Sequence, residues 1–238
     1  MKPVHVFSDW TAMADEIALR WCHQAQQAVE SQRIFTVVLS GGSSAARIFQ
    51  GLVESSHVEQ IPWRHVHIFW ADERCVSPDS GESNYGAFSR ILLNRISVPE
   101  ENLHRIRGED NPAKEALRYA RDIQDHMVLR KGQANFFDWV LLGVGADGHT
   151  ASLFPHQQNL LHTQDLCGVA RHPQTGQERI TLTPRALKQS AHIVYHVIGE
   201  EKAQIVFDLL SDSPSPDYPA THIAGEWYLD RPSAARLS

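Results

Sequence analysis

A glycine-rich loop at residues 143–150 carries the pattern of an acid/base catalyst, with Asp147 two positions before His149. The loop follows an apolar run at residues 139–142, which has the composition of a strand buried on both faces. A histidine changes its charge near neutral pH, so one presented at the end of a buried strand can accept or return a proton. A lone histidine is more often structural, but this position favours acid/base chemistry by His149.

A second loop, at residues 40–44, has the composition of an anion-binding site. Its glycines let the backbone approach an anion, while its hydroxyls and the start of a following helix supply hydrogen-bond donors. No Gly-Lys-Ser/Thr follows, so the segment is not a Walker loop, and a plain Gly/Ser turn is the alternative. The candidate phosphate-binding residues are Ser40, Gly41, Gly42 and Ser43.

Charged residues stand at the ends of other predicted elements. Asp72, Glu73 and Arg74 directly follow a strand, a cluster that by itself is typical of a solvated surface. Arg179 opens a strand, and Lys202 lies at the start of a helix. The helix dipole opposes a lysine there, so a bound anion would compensate for its position.

Two familiar catalytic motifs are excluded. Gly143, Gly145 and Gly148 spell G-x-G-x-x-G, but Pro155 interrupts the segment before the long helix that a dinucleotide site requires. The chain also lacks the G-x-S-x-G elbow of serine hydrolases. Neither a nicotinamide enzyme nor a serine hydrolase is therefore expected.

Histidines and cysteines do not predict a metal site. His65 and His67 would share one face of a strand, but no carboxylate or cysteine completes the pair at a familiar spacing. We expect both at the strand surface, with no bound metal. Cys22, Cys75 and Cys167 are odd in number and far apart, so we expect them to be reduced.

Alternating strands and helices position these loops. The patterns predict strands at residues 36–39, 66–70, 139–142, 180–182 and 192–198. They predict helices at residues 10–29, 45–53, 85–96, 112–131 and 201–210. Ser8 or Asp9 is placed to cap the first helix. Such alternation indicates an α/β fold with a mostly parallel sheet and helices on both faces. Ligands of such sheets bind outside the carboxyl ends of the strands.

Size and charge limit the classes of function. The chain has 238 residues and a formal net charge of −6, which argues against a broad cationic face for nucleic acid. Neither a signal peptide nor a membrane span is visible, so we expect a cytoplasmic protein. Residues 211–216 resemble a linker, but too little chain follows them for a second domain. A single α/β domain over residues 1–238 is expected.

Together these motifs resemble the 6-phosphogluconolactonases, within the glucosamine-6-phosphate deaminase-like superfamily. The similar stretches cover most of the chain in the family's order, and they lie at residues 39–43, 70–76, 83–86, 143–155, 178–183 and 199–202. Ser44-Ala45 departs from the Thr-Pro that is frequent in the family, which affects only where the helix begins.

The resemblance implies a modified doubly wound, Rossmann-like fold and an enzyme without a cofactor. The family hydrolyses 6-phospho-D-glucono-1,5-lactone to 6-phospho-D-gluconate, the second step of the oxidative pentose phosphate pathway. A small phosphorylated sugar lactone is thus the expected partner, with no nucleic acid or membrane, for a monomer or small homo-oligomer. A δ-lactone is an activated ester, so one base and oriented donors are sufficient for its hydrolysis.

The resemblance also implies catalytic roles. His149 is matched to the family's general base, which would deprotonate the attacking water with Asp147 beside it to orient the ring. Arg74 is matched to a substrate-contacting arginine, at the phosphate or at the lactone end. Arg74 or loop amides would stabilise the oxyanion.

Substrate binding is implied for a second set of residues. Arg179 and Lys202 match the positions that hold the substrate phosphate in the superfamily, with the loop at residues 40–43 contributing hydroxyls and amides. Asp72 is assigned to the same binding site. These residues come from four separate parts of the sequence.

Two other functions remain open at this point. Sugar-phosphate deaminases and isomerases of the superfamily resemble the chain at Asp72 and at the His149 loop. They carry an aromatic residue in place of Arg74 and an acid in place of the segment at residues 153–155, and both differences favour the lactonase. A non-enzymatic sugar-phosphate sensor is the other alternative, but such proteins usually carry a separate DNA-binding module.

Overall fold

The computed structural model describes residues 2–129 and 135–237, which form two β-sheets. The larger sheet has seven strands, and every neighbouring pair in it is parallel. From edge to edge its strands are β1 (Val4–Phe7), β10 (Glu226–Asp230), β9 (Ser190–Val197), β6 (Phe137–Leu142), β2 (Phe35–Leu39), β3 (Val66–Trp70) and β5 (Leu103–His104). The predicted α/β fold with a mostly parallel sheet is confirmed.

The smaller sheet is antiparallel and begins where β3 ends. Its strands are, in order, β4 (Asp72–Arg74), β8 (Glu178–Leu182) and β7 (Cys167–Arg171). The Ala71 N–H donates to the carbonyl of Leu39 in β2 at 2.8 Å, while the Ala71 carbonyl accepts from the N–H of Leu182 in β8 at 2.7 Å. The chain thus passes from one sheet to the other at Ala71. The strand predicted at residues 180–182 is present, but it belongs to this antiparallel sheet.

The structure contains all five predicted helices and two short ones that were not predicted, while the end predicted for the fourth, at residue 131, lies outside the described residues. They are α1 (Trp10–Glu30), α2 (Ser43–Glu54), α3 (Asn84–Phe88), α4 (Pro112–Leu129), α5 (Gln158–His162), α6 (Pro184–Leu187) and α7 (Ala203–Leu210). Asp9 caps α1, since its carboxylate accepts from the N–H groups of Thr11 and Ala12 at 3.0 and 2.9 Å. Helix α2 begins at Ser43, earlier than predicted, and α3 gives way after Phe88 to one π-helical turn.

The central strands form the core. All five residues of β2 are buried, as are all residues of β6 except Asp138, so the prediction of a strand buried on both faces is confirmed. Helix α1 packs against this region, and its Trp21 meets Trp139 of β6 edge to face with ring centroids 6.4 Å apart. Each large apolar side chain buried here stabilises the fold by about 1.5–3 kcal/mol. The loops that follow β2 and β6 therefore begin at the ends of well-packed, buried strands.

Several short strands were not predicted. Strands β1, β4, β5, β7 and β10 have between two and five residues each, and each contains a histidine, a glycine or a charged residue, so none is a continuous apolar run like residues 139–142. At the sheet edge, Val4 and Val6 of β1 are 40% and 55% exposed.

Across residues 2–129 and 135–237, none of the helices combines the length and apolar character needed to span a membrane.

Candidate active site

Loops from both sheets enclose a cleft of about 160 Å³ at the carboxyl ends of β2, β3 and β6. The sequence-predicted residues that line it are Ser40, Gly41, Gly42, Ser43, Asp72, Arg74, His149, Arg179 and Lys202. Asp147 stands behind His149 and contacts its ring. The structure therefore brings together all the residues that the sequence analysis proposed for the site.

The loop at residues 143–150 is folded tightly enough to fix its histidine. The Gly145 N–H donates to the His149 carbonyl at 2.9 Å, and the Thr150 hydroxyl donates to the Gly143 carbonyl at 2.9 Å. A Cβ atom on Gly145 would lie 2.1 Å from His149 Nδ1, so the imidazole rests directly against this glycine. Only glycine fits there without moving the ring.

Asp147 orients the His149 ring. Its Oδ1 lies 2.5 Å from His149 Nδ1 and also accepts from the His149 backbone N–H at 3.2 Å. Burial raises the pKa of the Asp147 carboxyl, but the hydrogen bonds from His149 outweigh this and the pKa is lowered overall. An ionised Asp147 accepts the proton on Nδ1, which leaves Nε2 of His149 as the basic nitrogen.

Two arginines face each other across the smaller sheet. Arg74 of β4 and Arg179 of β8 are direct partners in the antiparallel register, and both are half-buried. Within the described residues, neither has a carboxylate at ion-pair distance, and neither Nε has a hydrogen-bond partner. Burial, followed by the charge of Arg74, lowers the pKa of Arg179. Like charges directly opposite each other are destabilising, so this pair is suited to an anion.

The acids next to Arg74 do not neutralise it. Asp72 is 4% exposed and accepts from the Ser152 hydroxyl at 2.7 Å and from the Asn84 amide at 3.3 Å. Glu73 is 2% exposed and faces the start of α3. Both carboxylates are therefore engaged with neutral donors. Nη1 of Arg74 donates to the Glu82 carbonyl at 2.6 Å, while its buried Nε has no partner among the described residues.

The loop at residues 40–44 presents backbone amides to the cleft. Gly42 adopts φ 94°, a left-handed conformation that glycine accommodates, and α2 begins at the next residue. The first amides of a helix have no partner within the helix, so those of Ser43 and Ser44 are donors on the cleft wall. Ser40 has a different role, since its buried hydroxyl accepts from the Gly143 N–H at 3.1 Å and ties the two loops together.

Lys202 completes the cationic side of the cleft. It closes the 3₁₀ turn Glu200–Lys202 directly before α7 and is half-buried. No carboxylate of the described chain lies at ion-pair distance from its amine. The cleft therefore gathers three cations and a row of amides beside one histidine–aspartate pair.

Comparison with known proteins identifies the family. The family model described as glucosamine-6-phosphate isomerases/6-phosphogluconolactonase matches residues 8–229. The chain belongs to this family. A 6-phosphogluconolactonase of Aggregatibacter actinomycetemcomitans is 43% identical over 84% of this chain and 87% of its own length. One of Nostoc sp. is 34% identical over 100% of this chain and 99% of its own length.

Solved structures of the family have the same fold. The 6-phosphogluconolactonase from Thermotoga maritima matches with a TM-score of 0.80 at 26% identity, over 97% of this chain and 100% of its own. A structure described as devB protein matches with a TM-score of 0.90 at 38% identity, over the whole of both chains. These relatives confirm the prediction of an enzyme, a hydrolase of the 6-phosphogluconolactonase class.

The fold by itself does not separate the lactonases of the family from the deaminases. A monomeric glucosamine-6-phosphate deaminase matches with a TM-score of 0.81 at 18% identity, which shows the fold alone. Two positions differ from what the resemblance implies for deaminases. Leu153 and Phe154 are fully buried where it implies an acid, and Arg74 lines the cleft where it implies an aromatic residue.

Sequence reasoning missed one polar residue of the site. Asn84 lines the cleft, and its amide donates to the backbone carbonyl of Asp72 at 2.9 Å. A Cβ atom on Gly41 would lie 1.8 Å from the Asn84 side-chain oxygen, so the loop that follows β2 packs directly on this amide. The stretch at residues 83–86 belongs to the family resemblance, and that signal could have identified Asn84.

A larger cavity of about 960 Å³ lies elsewhere, around the amino ends of β9 and β10. Its lining includes an exposed lysine, Lys188, and the His192–Glu226 pair, in which Nδ1 and Oε1 are 3.6 Å apart. Ligands of parallel sheets bind at the carboxyl ends of the strands. The smaller cleft is therefore the candidate active site, on its chemistry and position and not on size.

Proposed function

We propose that this chain hydrolyses 6-phospho-D-glucono-1,5-lactone to 6-phospho-D-gluconate. One observation supports this most strongly: a single cleft joins the His149–Asp147 pair to two arginines that have no carboxylate partner among the described residues. The pair suits a proton transfer, and the cations suit a phosphate and a developing oxyanion.

In this mechanism His149 is the general base. Its Nε2 takes a proton from water while the water oxygen bonds to carbonyl carbon C1 of the lactone. The oxyanion then re-forms the carbonyl, the bond from C1 to the ring oxygen breaks, and that oxygen takes the proton from Nε2. Ionised Asp147 stabilises the transient imidazolium through the 2.5 Å contact with Nδ1. A positioned base of this kind contributes roughly 10²- to 10⁴-fold.

The cationic side of the cleft binds the phosphate in this proposal. Arg179 and Lys202 supply charge-assisted hydrogen bonds, each contributing about 1.5–3 kcal/mol, and the amides of Ser43 and Ser44 add neutral ones. Arg74 supplies a second guanidinium, for the phosphate or for the oxyanion. Asp72 and Asn84 hold the loops in place around the ligand.

The proposed reaction requires no cofactor. A lactone of this type arises when a sugar phosphate is oxidised at C1, so the substrate must come from a dehydrogenase. We therefore place the reaction at the second step of the oxidative pentose phosphate pathway, in the cytoplasm. The opened acid is the product that continues along the pathway.

The deciding experiment is a hydrolysis assay on freshly made lactone, run beside glucosamine-6-phosphate. We expect acid release from the lactone far above the spontaneous rate, and no ammonia from the amino sugar. Comparable ammonia release would identify a deaminase. Tight binding of 6-phosphogluconate without turnover of either compound would identify a sensor.

A further inference from the structure

Three histidines outside the active-site cleft come together from separate elements. His67 lies on β3, His104 on β5 and His126 on α4. One ring nitrogen of each lies within 4.8 Å of the others. His67 Nδ1 and His104 Nε2 are 3.0 Å apart, and the rings of His104 and His126 have centroids 3.9 Å apart. His104 is buried, whereas the other two are half-buried.

A carboxylate behind the cluster fixes two of the rings. Asp122 Oδ1 lies 3.1 Å from His104 Nδ1 and 3.4 Å from His126 Nδ1, and the Asp122 carbonyl lies 3.1 Å from His126 Nδ1. Arg118 holds the other oxygen of Asp122 at 3.0 Å. Because both Nδ1 atoms face acceptors, they carry the protons, and each Nε2 presents a lone pair. The lone pair of His104 Nε2 points to the same place as His67 Nδ1, 3.0 Å away.

This arrangement matches the two shells of a metal site. Metal-binding histidines usually donate their second ring nitrogen to a carboxylate or a carbonyl, as His104 and His126 do here. Neighbouring nitrogens around a tetrahedral zinc ion, with bonds of 2.0–2.1 Å, stand about 3.3 Å apart. The 3.0 Å between His67 Nδ1 and His104 Nε2 is close to this value, and a ring nitrogen of His126 lies within 4.8 Å of the nitrogens of both.

We propose that His67, His104 and His126 bind one zinc ion, with Asp122 as the positioning residue and water in the fourth coordination position. Three imidazoles without thiolates are ligands of zinc and neighbouring divalent metals. The ion would join α4 to β3 and to the edge strand β5. Its role is structural, because none of the three histidines lines the active-site cleft.

This proposal departs from the expectation of no bound metal. The sequence analysis considered the pair His65 and His67 and expected both on the surface of one strand, but His65 lies in a 3₁₀ turn before the strand and is exposed. The actual partners of His67 come from distant parts of the chain, and His104 is 37 positions away. Metal motifs read from sequence depend on short spacings, so this cluster gives no such signal.

The test uses full-length protein treated with EDTA and dialysed. Calorimetry with zinc chloride should show one site, and Co²⁺ should give the visible absorption of a tetrahedral complex that zinc abolishes. His126→Gln and His67→Gln should each weaken zinc binding at least about tenfold, and Asp122→Asn about 10- to 100-fold. His65→Gln is the matched control and should bind as wild type does.

Circular dichroism of each variant checks that it is folded, and the two half-exposed ligand positions provide independent variants. Zinc should raise the melting temperature of wild type and of His65→Gln, but not that of His126→Gln. Equal zinc affinity in all variants, or the absence of a tetrahedral Co²⁺ spectrum, would overturn the proposal and leave a hydrogen-bonded histidine chain. Lactonase activity should be the same with and without zinc, so this outcome is independent of the proposed function.

Discussion

In the proposed mechanism, His149 and Asp147 carry out the proton transfer through a contact made within one loop. The 2.5 Å hydrogen bond fixes the ring, and Gly145 leaves space for it. Arg179 and Lys202 instead reach the cleft from different elements. The base and the anion site can therefore be altered separately, and each has its own kinetic consequence.

Loss of the base should affect turnover more than binding. We expect His149→Ala to lower kcat roughly 10²-fold or more with little change in KM, because a general base acts mainly in the transition state. The measurement is the initial rate on fresh lactone, corrected for spontaneous hydrolysis. His162→Ala, at an exposed histidine of α5, is the control and should match wild type. A near-wild-type kcat for His149→Ala would remove it from the role.

Loss of a cation should affect binding. Arg179→Ala and Lys202→Ala each remove charge-assisted hydrogen bonds of about 1.5–3 kcal/mol, so affinity for 6-phosphogluconate should fall about tenfold or more. Isothermal titration calorimetry measures this directly, and inorganic phosphate should compete. Arg185→Ala, at an exposed arginine of α6, should bind as wild type does. Unchanged affinity in both variants would place the phosphate elsewhere.

At the scale of elements, a buried carboxylate joins β4 to α3. Glu73 Oε1 accepts from the N–H groups of Arg74 and Asn84, each at 2.8 Å. Oε2 accepts from the Ser83 hydroxyl and the Tyr85 N–H, each at 2.9 Å. All four donors lie at the start of α3 or next to Glu73 itself, so this residue holds the loop that carries Arg74 against the helix.

Replacing this carboxylate should cost stability. Glu73→Gln keeps the shape but turns one acceptor into an NH₂ group that faces other donors, which should lower the free energy of unfolding by about 1–3 kcal/mol. Urea unfolding followed by circular dichroism measures the change. Glu82→Gln, at an exposed position nearby, should unfold as wild type does. Equal stability of the two variants would show that the four hydrogen bonds contribute little.

At the scale of the whole molecule, the sheet buries an imidazole beneath the cleft. His196 of β9 is 1% exposed, and its Nε2 lies 3.5 Å from the Ser40 hydroxyl. Its Nδ1 has no hydrogen-bond partner among the described residues. Burial lowers the pKa of His196 from 6.5 to about 4, because the charged ring is poorly solvated there.

This burial makes stability depend on pH. The unfolded chain protonates His196 near pH 6.5, whereas the folded protein keeps it neutral down to about pH 4. The unfolded state therefore binds more protons between these values, and stability falls as the pH drops through this window, by up to about 3 kcal/mol from this residue. Urea unfolding of wild type and His196→Gln across pH 4–7 should give a flatter profile for the variant. Parallel profiles would contradict the assignment.

Much of the fold could be predicted because its signals are local. The apolar run of β6 and the helical spacing of α1 were sufficient to place both elements, since burial imposes a continuous run or a period on the residues that pack. The short strands β4 and β10 lack such a period. Strand β4 in particular appeared as a charged loop, because its partner in β8 lies far along the chain.

The sequence by itself determined the fold class and the contents of the loops at the carboxyl ends of β2, β3 and β6, because parallel strands deliver their loops to one edge. It also determined the pairing of Asp147 with His149, since two positions in a tight loop can only be neighbours. Only the tertiary structure decided that Arg74 faces Arg179 and that three distant histidines meet. Those contacts depend on which strands pair and in which register, and local residue patterns do not encode that choice.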